Sequence, residues 1–329
     1  MKDKILHLLK KNEKNFISGQ LISEKLGVSR TAIWKYMNVL KEEGYNIESI
    51  PKRGYKLLTS PDLLTFEEIH NSLDTKYIGR NIMHFQSIES TNNKAKELAN
   101  DLSNGTVIIS EEQTLGRGRL GRFWRSPKHK GVWMSIILKP DIDPQRVAMI
   151  TQIGAAAVIK TLSELGIEAY VKWPNDIIFN EKKVCGILTE MSGEINKVNY
   201  IVMGIGINVN IDKEEFHEEL RNSATSLSSE IGTSLNRKEI VANLLNNFEV
   251  LYDEIIQKNS IESSMKICRE SSILIGKEVK IIKRNEESFG KVIDLSNTGE
   301  LIIQYTDGSI EELICGEVSI RGFNGNYTP

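Results

Sequence analysis

The sequence predicts an α+β chain in three parts, and three observations carry that reading. Over residues 1–60 apolar residues recur at helical spacing and then alternate through a short hairpin. From residue 82 strand-like runs alternate with helices but are often joined by short turns, which calls for a mixed or mainly antiparallel sheet. From Gly276 about five short strands follow in quick succession, the pattern of a small SH3-like barrel. The expected parts are residues 1–60, 61–275 and 276–329, with the first boundary at Ser60-Pro61-Asp62, before a helix capped by Thr65.

At 40% hydrophobic and 26% charged, the 329 residues have ordinary soluble composition. The longest apolar tract, 147–162, is broken by Thr151, Gln152 and Lys160, so a membrane span is not expected. The first residues lack the apolar segment and small-residue cleavage site of a secretory signal. Cys185, Cys268 and Cys315 form no CxxC pair and the histidines no metal-binding cluster, so neither a disulfide scaffold nor a structural metal is expected; a reducing cytoplasm fits.

Residues 1–60 carry 12 Lys and Arg against 6 Asp and Glu, a net of +6, while the other 269 carry 30 against 38, a net of −8. Such asymmetry suits a nucleic-acid-binding module joined to another activity; a merely lysine-rich small domain is the plain alternative. Ile5, Leu8, Leu9 and Phe16 mark an amphipathic helix over 1–16. After Ser18-Gly19-Gln20 a second helix carries Leu21, Ile22 and Leu26 and ends at Gly27. Ser29 caps a third, whose apolar positions are Ile33, Trp34, Met37 and Leu40 and which stops at Gly44. Two helices joined around Gly27-Val28-Ser29 have helix-turn-helix spacing. Tyr45, Ile47 and Ile50, a turn at Pro51-Lys52-Arg53-Gly54, then Tyr55 and Leu57 make the hairpin of a winged helix, with Lys52 and Arg53 aimed at phosphate. Ser29, Arg30, Thr31, Lys35, Tyr36 and Asn38 are the exposed residues expected to reach bases and backbone.

In the central part strands are expected at 83–87, 107–113, 132–138, 169–173, 177–179, 184–191 and 200–209, with helices at 91–100, 145–165, about 237–258 and 260–271. The last part has strands at 279–283, 289–294, 301–305, 310–313 and 318–320, with turns at Asn297-Thr298-Gly299 and Asp307-Gly308.

The densest chemical signal runs from Gln113 through Arg117, Gly118, Arg119, Arg122 and Trp124. Gly116, Gly118 and Gly121 match the dinucleotide fingerprint in spacing, but that fingerprint needs a helix directly after the glycines, and Pro127 and Gly131 break the segment. Residues 113–131 instead hold six Arg or Lys and no acid. Arginine forks suit phosphate or carboxylate, and such a loop is expected to order around an anion; a solvated basic loop is the alternative. Lys172-Trp173-Pro174-Asn175-Asp176 places an amide and a carboxylate at a strand end, unless the pair only caps the corner. Lys183 and Gly186 open the second strand of a hairpin, where a solvated turn lysine is the default. Gly204 and Gly206 lie within an apolar strand ending at Asn208, which points to close approach of a ligand or backbone. Ser90, Thr91 and Asn92 end a strand and cap a helix, and can also read a polar head group.

Five of these elements occur in the order seen in biotin–protein ligases: the Ser-Thr-Asn turn, the Gly/Arg loop with its tryptophan, KWPND, the KxxGIL hairpin and GxGINV. The chain resembles that family over essentially its whole length, and its N-terminal part looks like the winged helix of bifunctional ligase/repressors of the biotin operon. The resemblance implies a catalytic domain of the biotin/lipoate ligase type that turns biotin and MgATP into biotinyl-5′-AMP and then biotinylates a lysine of a biotin carboxyl carrier domain. It also implies a homodimer, loaded with the adenylate as corepressor, on operator DNA. By the same resemblance Ser90, Thr91 and Asn92 begin the biotin pocket, and Gln113 meets the ureido ring. Arg117, Gly118 and Arg119 form the adenylate loop, Trp124 covers it, and Lys183 sits near the biotin carboxylate and α-phosphate. Gly186, Gly204, Gly206 and Asn208 line the pocket, and Asn175 and Asp176 stand near the reacting carbonyl. Lys183, Arg119, Asp176 and Asn175 are thus the expected catalytic set, with no tightly bound metal. A lipoate–protein ligase on the same fold, or a biotin-sensing transcription factor without ligase activity, are the alternatives.

The chemistry is consistent with that implication. A carboxylate attacking a polyanion needs charge neutralised on both partners, which Arg117, Arg119, Arg122, Lys183 and the Mg²⁺ of the nucleotide supply. Asp176, at an unperturbed pKa of about 3.9, is too weak a base for an amine of about 10.4, so orientation and electrostatic help are its expected roles.

Overall fold

The computed structural model describes residues 1–283, 286–314, 318–322 and 327–328. Helices α1 (Lys2–Lys11), α2 (Gly19–Leu26) and α3 (Arg30–Glu42) are followed by the antiparallel pair β1 (Asn46–Ile50) and β2 (Gly54–Thr59). Ser18 and Ser29 cap α2 and α3, accepting from the Leu21 and Ala32 amides, and Gly27 closes α2 in the left-handed region. Ile5, Leu9, Ile22, Ile33, Met37, Leu40, Ile47 and Leu57 make one core. The first helix stops at Lys11, short of the expected 16, so Phe16 lies outside it and takes the Arg53 guanidinium over its ring at 4.7 Å. Trp34 is not an internal apolar position: it is 57% exposed, because Ile33 and Met37 already span the inner face.

Next come α4 (Phe66–Ile69), β3 (Ile82–Phe85), α5 (Thr91–Leu98), β4 (Val107–Ser110), β5 (Gly131–Leu138), α6 (Val147–Glu164), β6 (Tyr170–Lys172), β7 (Asp176–Phe179), β8 (Lys182–Glu194), β9 (Lys197–Asn208), α7 (Leu227–Ile231), α8 (Arg237–Lys258) and α9 (Glu262–Glu270). Thr65 stands at the N-cap of α4, but its hydroxyl makes no capping bond. The seven strands order as β3-β4-β5-β9-β8-β7-β6, with β3 and β4 parallel and every other pair antiparallel. This is the mixed sheet of an α+β fold. Its strands alternate two burdens. Ile136, Met203, Ile205 and Ile187 face the long apolar helix α6 and the main core, whereas Ile108, Ile137 and Val202 pack under α5. Continuing the second parity puts Ser135, Gly204, Gly206 and Gly186 on the α5 face, and α5 covers only part of it.

The last unit is a five-stranded antiparallel sheet, β10 (Glu278–Lys283), β11 (Glu286–Leu295), β12 (Leu301–Tyr305), β13 (Ile310–Leu313) and β14 (Val318–Gly322), in the order β13-β12-β11-β10-β14. It is tied to the central sheet by the Trp173 indole, which donates to the Gly299 carbonyl at 2.8 Å. Cys185 and Cys268 are buried free thiols; Cys315 lies outside the described residues. Among the described residues no helix is long and apolar enough to cross a membrane.

One buried ion pair joins these parts. Glu111, just beyond β4, is fully buried; its Oε1 accepts from the Leu64 amide and lies 2.9 Å from His84 Nε2. Its Oε2 accepts from Arg237 at 2.8 Å and lies 3.1 Å from His129 Nδ1. Arg237, also fully buried, reaches Asp62 in the linker and the Gly131 carbonyl at the start of β5. Burial alone would raise the Glu111 carboxyl, but His84, Arg237 and the Leu64 amide together bring it from 4.5 down to about 2. Glu111→Gln strips the anion from a buried guanidinium, so stability in urea should fall by about 3–5 kcal/mol at neutral pH. A depressed carboxylate stabilises above its unfolded pKa. The gap between wild type and variant should therefore be full above about 4.5 and close as pH falls toward 2.

Candidate active site

The α5 face opens into a cavity of about 380 Å³, ample for a small organic molecule. Ser90, Thr91, Asn92, Gln113, Arg117, Gly118, Arg119, Trp124, Asn175, Asp176, Lys183, Gly186, Gly204, Gly206 and Asn208 all line it. The cavity has a neutral end and a charged end.

The neutral end is built at the N-terminus of α5, which Ser90 caps. The Thr91 amide donates to Gln113 Oε1 at 2.8 Å, and the Gln113 amide group donates to Ser126 at 2.8 Å. Ser135 donates to Asn92 Oδ1 at 2.6 Å and sits 2.8 Å from the Thr91 hydroxyl, while Asn92 Nδ2 donates to Glu190 at 2.8 Å. Burial would raise the Glu190 carboxyl, but Lys96 and Asn92 hold it below its ordinary value. Every one of these groups is fixed by another, so a ligand meets pre-oriented donors and acceptors. Asn92 can lie flat on the sheet only because residue 204 is glycine: a Cβ there would stand 2.1 Å from Asn92 Oδ1.

The charged end begins two residues farther along β9. A Cβ on Gly206 would stand 2.5 Å from the Trp124 indole nitrogen, and Gly186, paired opposite Gly206 across the strands, approaches both Lys183 and Trp124. The indole N–H is buried without a hydrogen-bond partner among the described residues. The basic loop folds back on itself through Gly118 N–H to Arg122 O at 2.7 Å and Trp124 N–H to Gly116 O at 2.8 Å. Arg119 donates to Asn175 Oδ1 at 2.9 Å, and Asn175 Nδ2 donates to the Ile187 carbonyl. Lys183 pairs with Asp176 at 2.5 Å and lies 5.1 Å from the Trp124 ring. Burial would raise the Asp176 carboxyl, yet Lys183, the Tyr327 hydroxyl and Lys172 outweigh it and keep it below the usual range.

Lys183 reaches this face through an irregularity. The β7–β8 register shifts so that Ile177 pairs with Cys185 and Ile178 with Lys183, a bulge that turns Lys183 onto the side of Gly186. Its backbone pairs with the 223–225 loop, Lys183 N–H to Ser223 O and Thr225 N–H to Lys183 O. The Asn208 side chain donates to Thr225 O at 3.0 Å, anchoring the same loop.

Ser135, Arg321 and Tyr327 also belong to the cavity or its network, as does Lys172, to which the KWPND motif assigns no role. Ser135 was legible, as the polar residue in the otherwise apolar run Val132–Leu138. Burial pushes Lys172 down to about 7, against the opposing pull of Asp176. Arg321 and Tyr327 come from the C-terminal part, and no local motif marks them. Among the described residues no group of His, Cys, Asp or Glu could hold a metal ion.

In the N-terminal part, Ser29 at the cap of α3, Arg30, Thr31 and Lys35 on α3, and Lys52 and Arg53 in the hairpin turn are exposed. Tyr36 and Asn38, expected to be exposed, are only partly so; Tyr36 packs on the N-terminal core.

Three family models match the chain: the HTH domain over residues 2–56, the biotin/lipoate A/B protein ligase family over 82–208, and the biotin protein ligase C-terminal domain over 274–321. The chain is 37% identical to the bifunctional ligase/repressor BirA of Bacillus subtilis, covering 96% of this chain and 97% of that one. It is 30% identical to the BirA of Escherichia coli K12, over 97% and 96%. Among solved structures it is similar to the biotin protein ligase from Aquifex aeolicus in complex with biotin and ATP, at 31% identity and a TM-score of 0.64, covering 74% of this chain and 99% of that one. With the alignment running nearly end to end, the chain belongs to the family of BirA-type bifunctional ligase/repressors.

Proposed function

We propose that the chain activates biotin with MgATP to biotinyl-5′-AMP, transfers the biotinyl group to a lysine of a biotin carboxyl carrier domain, and represses transcription by binding operator DNA. The observation that carries the site assignment is the two-ended cavity. Neutral Thr91, Asn92, Gln113 and Ser135 suit the ureido ring. Cationic Arg119 and Lys183 lie beyond a step of two strand residues, roughly 7 Å, where a carboxylate on an aliphatic tail would reach.

In the first step a biotin carboxylate oxygen attacks the α-phosphorus; the new C–O–P link forms as the bond to pyrophosphate breaks. Arg117, Arg119 and Lys183 offset the repulsion between the two anions, and Trp124 on Gly206 shields the mixed anhydride from water. In the second step the acceptor amine attacks the acyl carbon, the C–N bond forms, AMP leaves with the C–O electron pair, and the proton shed by the nitrogen passes to water. Asp176, held ionised by Lys183, orients that encounter rather than taking the proton. Ser90, Gly118, Gly186 and Asn208 shape the walls, and Asn175 holds Arg119. The ion of MgATP arrives with its substrate.

Repression rests on α3 and the hairpin: Arg30, Thr31 and Lys35, with Ser29, Tyr36 and Asn38 beside them, face the major groove, and Lys52 and Arg53 face phosphate. Two-fold half-sites need two winged helices, so the adenylate-loaded chain binds DNA as a homodimer. Units 1–60, 61–275 and 276–329 divide this labour, and a cytoplasmic location keeps the buried thiols reduced.

Biotin-dependent ATP–pyrophosphate exchange should be present in wild type and lost in Lys183→Ala, with lipoate run in parallel. Exchange with lipoate alone would move the assignment to lipoate ligation, and exchange with neither would leave a ligand-sensing regulator. Gly204→Ala pushes a Cβ into Asn92, so KM for biotin should rise by about tenfold or more, since roughly 1.4 kcal/mol is a factor of ten, while KM for ATP holds. Lys52→Ala should weaken binding to DNA selected from random sequence and reduce the slope of log affinity against log salt by about 1.

A further inference from the structure

We infer that Tyr327 is a positioning residue of the ligase site: its hydroxyl holds one oxygen of Asp176 while Lys183 holds the other, so the C-terminal segment fixes the plane of the carboxylate. This rests on the ligase reading above and deepens it.

Asp176 Oδ1 pairs with Lys183 Nζ at 2.5 Å, and the Tyr327 hydroxyl donates to Asp176 Oδ2. The terminal torsion of an aspartate is broad, so a carboxylate held by one flexible ammonium can still turn about it. A second donor on the other oxygen removes that freedom and, through Asp176, sets where the Lys183 ammonium stands. The tyrosine is itself held. Lys172 Nζ lies 3.6 Å from its ring centroid and the Arg321 guanidinium 5.3 Å; the guanidinium, and the Lys172 amine when protonated, favour the face of an aromatic ring. The neighbouring Thr328 hydroxyl donates to the Glu181 carbonyl in the turn between β7 and β8 at 3.3 Å, which tethers the same segment to the hairpin carrying Lys183. Asp176 therefore meets Lys183 from β8, Lys172 from β6 and Tyr327 from the C-terminal segment, with Arg321 on β14 and Arg122 in the basic loop acting on Lys172 and Tyr327. Donation from Tyr327 favours the ionised carboxylate, as the pair with Lys183 does.

The test separates the hydroxyl from the ring. Tyr327→Phe keeps the aromatic face toward Lys172 and Arg321 and removes only the donor. Loss of a hydrogen bond to a charged group should lower kcat for biotin transfer by about tenfold, with KM for biotin, set at the neutral end, unchanged. With a donor gone, the Asp176 carboxyl titrates at higher pH, so the acid limb of the transfer rate should shift to higher pH. The Asp176 carbon resonance, assigned by its absence in Asp176→Asn, should shift in the same direction. Tyr327→Leu removes ring and hydroxyl together and should be worse than Phe. If Phe matches wild type in kcat, pH limb and carboxyl titration while Leu is impaired, the ring merely packs and the inference is overturned. A wild type that exchanges no pyrophosphate with biotin would remove the ligase reading. The carboxyl titration would still decide whether Tyr327 holds Asp176.

Discussion

A carboxylate and a guanidinium, both shut away from water, are what the rest of this molecule is hung on. Glu111 and Arg237 face each other at 2.8 Å with no solvent exposure, and such a pair is tolerable only when each remaining polar atom is satisfied. Satisfying them recruits distant segments: the linker through Asp62 and Leu64, the edge strand β3 through His84, the end of the basic loop through His129 and Gly131, and helix α8 through Arg237 itself. The loop that carries Arg117, Arg119 and Trp124 begins directly after Glu111 and ends where His129 and Gly131 are held. The winged helix is attached through the same linker and through Lys10 and Lys238, which both pair with Glu68. A disturbance at either end of the basic loop thus bears on residues that also fix the linker.

The site follows from a second constraint, the two-residue period of a strand. Ser135, Gly204, Gly206 and Gly186 share a face with Ile137 and Val202; α5 covers Ile137 and Val202 with its body and Ser135 and Gly204 with its first turn, whereas Gly206 and Gly186 lie against Trp124. Large side chains at those positions would fill the space. Glycines instead let Asn92 and Trp124 lie against the backbone, so the cavity floor is peptide and its walls come from other elements. The distribution of charge then follows from chain order. Uncharged Asn92 lies over Gly204, while Trp124 of the basic loop lies over Gly206 and Lys183 of β8 beside Gly186.

Much of this was legible in residue order, for identifiable reasons. Amphipathic periods and serine caps act locally, and α2, α3 and α8 lie close to where the pattern puts them. Five short motifs with sensible gaps carry the family. What failed was local inference about burial. Trp34 is apolar and sits beside Ile33, yet the inner face of α3 has no room for it. Thr65 has the right type for a cap and stands at the cap position, but its hydroxyl makes no capping bond. Arg237, in the first turn of α8, carries no local mark of burial, and its partners Asp62 and Glu111 come from 175 and 126 positions away.

The sequence by itself therefore determined the three-part α+β order, the helix and strand periods, the sign of charge in each part and the inventory of reactive side chains, because each is set by neighbours within a few residues. Tertiary structure decided which of those side chains meet. A bulge turns Lys183 from the helix-facing side of β8 to the cavity. A buried pair sets the ends of the basic loop, and a tyrosine from the far C-terminal segment lies against Lys172 and Asp176. The buried pair and the tyrosine contact join segments a hundred or more residues apart. No local period encodes such contacts; they form only when burial forces each polar group to find its partner.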